Sequence, residues 1–132
     1  MSNINLDKLS NKKVAEAFRQ LKIQYREQRT HELGWRIFQA HLREPRYRTT
    51  WENLANNMGF DDSCIIHLHY GRFAHALWEQ MGYAGKPHDP RATRDFWLSL
   101  LVDWADDEDP YDGYTVFVLR PPIIRAVKRL RS

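Results

Sequence analysis

The sequence predicts a mainly α-helical single domain that carries one small β-hairpin. Three observations lead there. The chain has 132 residues, 42% of them hydrophobic and 13% aromatic, which suits one core and leaves no room for a second. Apolar residues recur at helical spacing in several windows bounded by proline and glycine. One short run, Tyr114-Thr115-Val116-Phe117-Val118-Leu119, is instead β-branched and aromatic, as strands are.

Residues 1–9 are expected to form a flexible leader and 10–132 the domain. Ser10 is a candidate N-cap, followed by Val14, Phe18, Leu21 and Tyr25 on one stripe, with Lys12, Lys13, Arg19, Lys22 and Arg26 mostly off it. Thr30 is placed to cap a second helix through Leu33, Ile37, Phe38 and Leu42. Glu44 precedes Pro45, and the residue before a proline resists helical geometry, so that helix ends there. Thr49 and Glu52 have the spacing of a capping box for a short helix running to Met58 and broken at Gly59.

A further helix is expected from Asp62 to Met81, with Ile65, Leu68, Phe73, Ala76 and Leu77 inward and Gly71 a weak point. Gly82, Gly85 and Pro87 mark a loop, and Asp89-Pro90 suits a helix start. Residues 97–104 admit two readings, a helical stripe or the first strand of a hairpin. The strand 114–119 ends at Arg120-Pro121-Pro122, and Ile123, Ile124, Val127 and Leu130 suggest a short basic C-terminal helix.

The stretch 51–70 carries the most information. Two short helices packed through a tight turn need apolar inward residues, a small residue at closest approach and a glycine at the turn. Leu54 and Met58, Ala55, Gly59, Phe60, Ile65 and Leu68 fill those roles in order. The pattern resembles the helix-turn-helix of DNA-binding regulators. With a helix before it and a hairpin after it, the chain resembles the winged-helix superfamily. That resemblance implies a regulator or accessory factor that binds double-stranded DNA, expected to act as a homodimer through its long first helix.

On this reading Ser63, His67 and Tyr70 face the bases, and Arg43, Arg46, Arg48 and Arg72, with Thr50, hold phosphates. Charge qualifies the argument. The net +3 divides into +6 over residues 1–48 (11 basic, 5 acidic), −8 over 49–113 (4 and 12) and +5 over 114–132 (5 and none). The motif therefore lies in the acidic third, and carboxylates repel a polyanion. At least one of Asp61 and Asp62 is better explained as a cap at a helix N-terminus. The acids Asp106, Asp107, Glu108, Asp109 and Asp112 sit where a wing tip would be. They favour an alternative from another class: a protein-interaction module, adaptor or inhibitor, docking a partner with a basic surface.

Other chemistry is weakly signalled. His67 and His69 are two apart, so a helix points them about 200° apart and no shared metal is expected. The acidic run at 107–113 lacks the full ligand pattern of a calcium loop. Cys64 is expected as a packing residue, with no disulfide partner in the chain. No phosphate-cradling glycine loop or nucleophile elbow occurs, so neither catalysis nor a cofactor is expected. No run approaches the ~20 apolar residues of a membrane span. A cytoplasmic protein without membrane partners is the expectation. The tryptophans at 35, 51, 78, 97 and 104 are expected as core or half-core anchors.

Overall fold

A computed structural model describes residues 9–82, 97–104 and 116–131 of the chain. It is mainly helical with a small antiparallel sheet. In chain order the elements are α1 (Asn11–Gln28), α2 (Glu32–Leu42), β1 (Arg48–Thr49), α3 (Trp51–Met58), α4 (Ser63–Gln80), β2 (Val102–Trp104), β3 (Phe117–Leu119) and α5 (Pro121–Arg131). Two 3-10 turns, Pro45–Tyr47 and Leu98–Leu100, precede β1 and β2. The sheet order is β1-β3-β2, with Thr49 opposite Phe117 and Val102 opposite Leu119.

Local chemistry explains most of the boundaries. Ser10 Oγ accepts from the Lys13 amide at 3.3 Å, starting α1. Val14, Phe18 and Leu21 then face inward as their spacing requires, and Leu9 is buried beside them. Gly59 ends α3 in the left-handed region at φ 78°, where a side chain would be strained. The Phe60 amide completes that cap by donating to the Ala55 carbonyl at 2.8 Å. Leu54 and Ala55 are buried, and Met58 and Phe60 half-buried, as the turn motif requires.

The core is knit by rings. Phe18, Trp35, Phe38 and Phe73 join α1, α2 and α4, with centroids 4.9–6.4 Å apart. Helices α2 and α4 approach closely at Gly34 of α2, where a Cβ would stand 2.6 Å from Phe73 Cβ. Only hydrogen fits there. Helix α5 packs along α1, and Arg125 Nε donates to Asn11 Oδ1 at 3.1 Å.

Several expectations are corrected. Helix α4 presents Ile66, Tyr70, Phe73, Ala74, Leu77 and Trp78 inward, while Ile65 and Leu68 are exposed. Apolar residues surround this helix, so its sequence alone admits both faces; contacts with α2 and α3 select the buried one. Gly71 does not interrupt it. The cap of α3 is Thr50, whose Oγ1 accepts from the Asn53 amide at 3.0 Å, not Thr49. Thr49 is drawn into β1 by its pairing with Phe117 and accepts instead from Asn53 Nδ2. Thr30 does not cap α2; His31 stands at that position with φ 55° and no side-chain bond.

Residues 97–104 resolve into one 3-10 turn followed by strand β2. Cys64 is exposed rather than packed, because it lies on the outer side of α4. Of the expected flexible leader 1–9, the last residue, Leu9, is instead buried in the core. Residues 1–8, most of the loop (83–88), the Asp89-Pro90 start and residues 114–115 lie outside the described residues, as do the acids at 106–112.

Candidate functional site: the α2–α3 connector and the outer face of α4

The connector from α2 to α3 carries three arginines in six residues. Arg43 is the C-cap of α2, Arg46 lies in the 3-10 turn and Arg48 on β1, all exposed. Two consecutive residues here, Arg46 at φ 56° and Tyr47 at φ 60°, are left-handed although neither is glycine. That conformation costs on the order of 1 kcal/mol or more per residue, so tertiary contacts must hold it.

The holding group is His41. It is buried, with Nδ1 2.8 Å from the Tyr70 hydroxyl and Nε2 2.9 Å from the Tyr47 carbonyl. A carbonyl can only accept, so Nε2 carries the hydrogen and Nδ1 accepts from Tyr70. Burial pushes the imidazole down to about 4, partly opposed by the bond to the Tyr47 carbonyl, so the ring is neutral near pH 7. Burial also raises the Tyr70 hydroxyl well above its ordinary value. One neutral histidine thus ties α2 and α4 to the strained turn that carries Arg46.

Trp51 links the connector to α4. Its ring stacks on His67 at 4.5 Å and 11°, and lies 4.4 Å from Phe117. The start of α3, the outer side of α4 and strand β3 therefore meet where residues 48–50 lead in. Farther along α4, His75 stacks on Trp97 at 3.9 Å and 18°, and its Nε2 lies 2.8 Å from Glu79 Oε1. Between the two stacks lies a shallow hollow bordered by Cys64, Leu68 and Arg72. His31, at the start of α2, titrates below its ordinary value, through partial burial and then the charge of Arg72, against a pull upward from Glu79.

The sequence-predicted residues divide accordingly. Ser63 opens α4 half-exposed, His67 is half-exposed against Trp51, and Arg72 is exposed. Thr50 spends its hydroxyl on the α3 cap. Tyr70 is the clear miss: it is fully buried against His41 and cannot touch a base. Asp62 caps α4, its Oδ1 accepting from the Cys64 amide at 2.9 Å; a hydrogen bond to the same carboxylate, and then its charge, raise the thiol of Cys64.

Sequence reasoning missed His41, Ile65 and Leu68 as site residues. Ile65 and Leu68 are 39% and 51% exposed on the outer face of α4. A phase of 66, 70, 73 and 77, equally helical, would have left them outside. Asp106, Asp107, Glu108, Asp109 and Asp112 fall outside the described residues. No helix among the described residues is long and apolar enough to cross a membrane. Comparison with family models, curated proteins and solved structures gave no match to this chain.

Proposed function

We propose that this chain is a winged-helix-like protein that binds duplex DNA chiefly through its phosphates. The observation that carries the reading is the order α2-β1-α3-α4-β2-β3, with β1 laid on β3 and three exposed arginines on the connector. Two helices joined by the Gly59 turn are the arrangement that offers the outer face of a second helix to a major groove. Arg43, Arg46 and Arg48 are exposed on the connector and Arg72 on the outer side of α4, and guanidinium groups hold phosphate oxygens bidentately.

Base reading is weak by the same chemistry. The outer side of α4 offers Ser63, His67, Ile65 and Leu68 in its first half, with no Asn, Gln or Lys before Gln80 at its far end for the commoner base contacts. Apolar side chains touch only thymine methyl groups. The expected protein is therefore salt-sensitive and tolerant of sequence. Four phosphate contacts give a log–log salt slope of about −3.6, so affinity falls roughly a hundredfold between about 50 and 200 mM salt. Fluorescence anisotropy on two unrelated duplexes measures this. R43A, R46A or R48A should each reduce the slope by about one. Affinity that is flat with salt sinks the reading.

A second reading is favoured by Ile65 and Leu68: the same face docks a protein. Two large apolar residues exposed on one helix are the usual core of a binding patch, and the acids at 106–112 would meet a basic partner. Charge reversal at Asp107 and Asp109 separates the readings. It weakens a protein complex and leaves DNA affinity unchanged or tighter.

A further inference from the structure

A cleft of about 350 Å³ opens between α1, α2 and α5 and shares no lining residue with the connector or the hollow on the outer side of α4. Its floor is aromatic: Phe18, Trp35 and Phe38, packed on one another at 5.1–6.4 Å. Leu42, Ile23 and Leu130 form its walls. Ile23 and Leu130 are 40% and 38% exposed, two of the four large apolar residues left open among the described residues. Folding alone gives no reason to leave both beside one cleft.

The rim is cationic. Arg19, Lys22 and Arg26 stand one turn apart along α1, and none of the eleven lining residues is acidic. Arg19 is paired with Glu16 outside the cleft. Lys22 leans over the Trp35 ring, its Nζ 5.2 Å from the centroid, so the ammonium is already drawn over the apolar floor. The lining on α1 runs from Phe18 to Arg26, two turns or about 12 Å.

We propose that this cleft binds a small amphiphilic carboxylate, with an apolar body of about ten carbons on the aromatic floor and its anionic head between Lys22 and Arg26. Size and charge choose this occupant. The volume falls at the small end of ligand pockets, which are mostly apolar with a few placed polar groups. A stable protein partner needs about 20–30 residues a side, against the eleven here. A DNA phosphate would pair with the rim but leave the floor unfilled. An amine or a neutral alcohol fills the floor but forgoes the rim.

The test is a titration of the ¹⁵N-labelled full chain with sodium decanoate, decylammonium chloride and 1-decanol, followed by NMR. Decanoate should shift residues 18–26, 35–42 and 127–130, including the Trp35 indole, and bind at least tenfold tighter than decylammonium. K22Q/R26Q alters exposed side chains, so it should fold with an unchanged melting temperature and lose at least tenfold in decanoate affinity while binding 1-decanol as before. Equal binding of decanoate and decylammonium overturns the proposal. So do shifts centred on α4, unchanged affinity in K22Q/R26Q, or a chain that sediments as a dimer with these residues unmoved by decanoate. DNA binding enters none of these readouts, so the two proposals stand or fall separately.

Discussion

Helices α1 and α4 have the same length, 18 residues each, and opposite legibility. In α1 the apolar positions stand among lysines, arginines and glutamates, so the buried stripe of Val14, Phe18 and Leu21 is the only one available. In α4 the run Cys64-Ile65-Ile66 and the later Phe73-Ala74 and Ala76-Leu77-Trp78 put apolar groups all round. Several faces could be buried, and tertiary contacts choose one. What α4 leaves outside is therefore informative in a way that the outside of α1, polar except for Ile23 at the cleft, is not. Ile65 and Leu68 are apolar residues that folding did not use.

Substitution at the two faces of α4 breaks or sharpens this contrast most directly. Phe73 is fully buried and touches Phe18, Trp35, Phe38 and Tyr70. Phe73→Ala should cost about 3–5 kcal/mol in urea unfolding, the lost transfer energy plus a cavity. A cost below about 1 kcal/mol would mean that α4 is rotated from the face described.

The next effect in size is a pH dependence centred on His41. The folded imidazole titrates at about 4 and an unfolded one near 6.5. The neutral ring is the folded form, so its contribution is fully present above about 6.5. As pH falls the unfolded chain takes the proton first, and stability is lost until the folded pKa is reached. The difference amounts to about 3 kcal/mol between pH 7 and 4. Urea midpoints across that range should fall in the native chain, and fall less in His41→Gln, which keeps an amide donor but does not titrate. Parallel slopes would remove His41 from the role of holding Tyr47.

The same residues show why part of the site was hidden. The Ser10 cap, the Gly59 turn and the exposed arginines were legible because each follows from local chemistry: a hydroxyl before a stripe, a glycine after one, charge beside a proline. Strand β1 was not. Arg48-Thr49 has no alternation of its own and becomes a strand only because β3 offers an edge. Nor were the left-handed angles at Arg46 and Tyr47, which depend on a histidine several residues away. Tyr70 was misplaced because a phenol suits a groove-facing and a buried position equally until its partner, 29 residues back, is known.

Gly34 sharpens the account of how α4 is fixed. Its missing Cβ lets α2 approach Phe73, and the atom it would meet is a Cβ, which cannot swing aside. Gly34→Ala gains helix propensity of up to about 1 kcal/mol but forces backbone movement, and overpacking costs about 1–3 kcal/mol. The expected net result is a loss of roughly 1 kcal/mol in urea unfolding. A gain in stability would show that α2 and α4 can separate without penalty and that this crossing does not set the phase of α4.

The smallest effect on folding belongs to the outer face, and there it discriminates between functions. Leu68→Ser removes an apolar side chain that is 51% exposed, so stability should stay within about 0.5 kcal/mol of the native chain. If the face lies in a DNA groove and holds mainly phosphates, duplex affinity should fall less than threefold, because Leu68 offers no charge. If the face docks a protein, the same substitution removes an apolar anchor and should weaken that complex tenfold or more, in the range of interface hot spots. One variant, equally folded under either reading, thus gives opposite answers by anisotropy on DNA and by titration of a protein partner. A loss of more than about 2 kcal/mol in stability would instead place Leu68 in the core and restore the helix phase that the sequence first suggested.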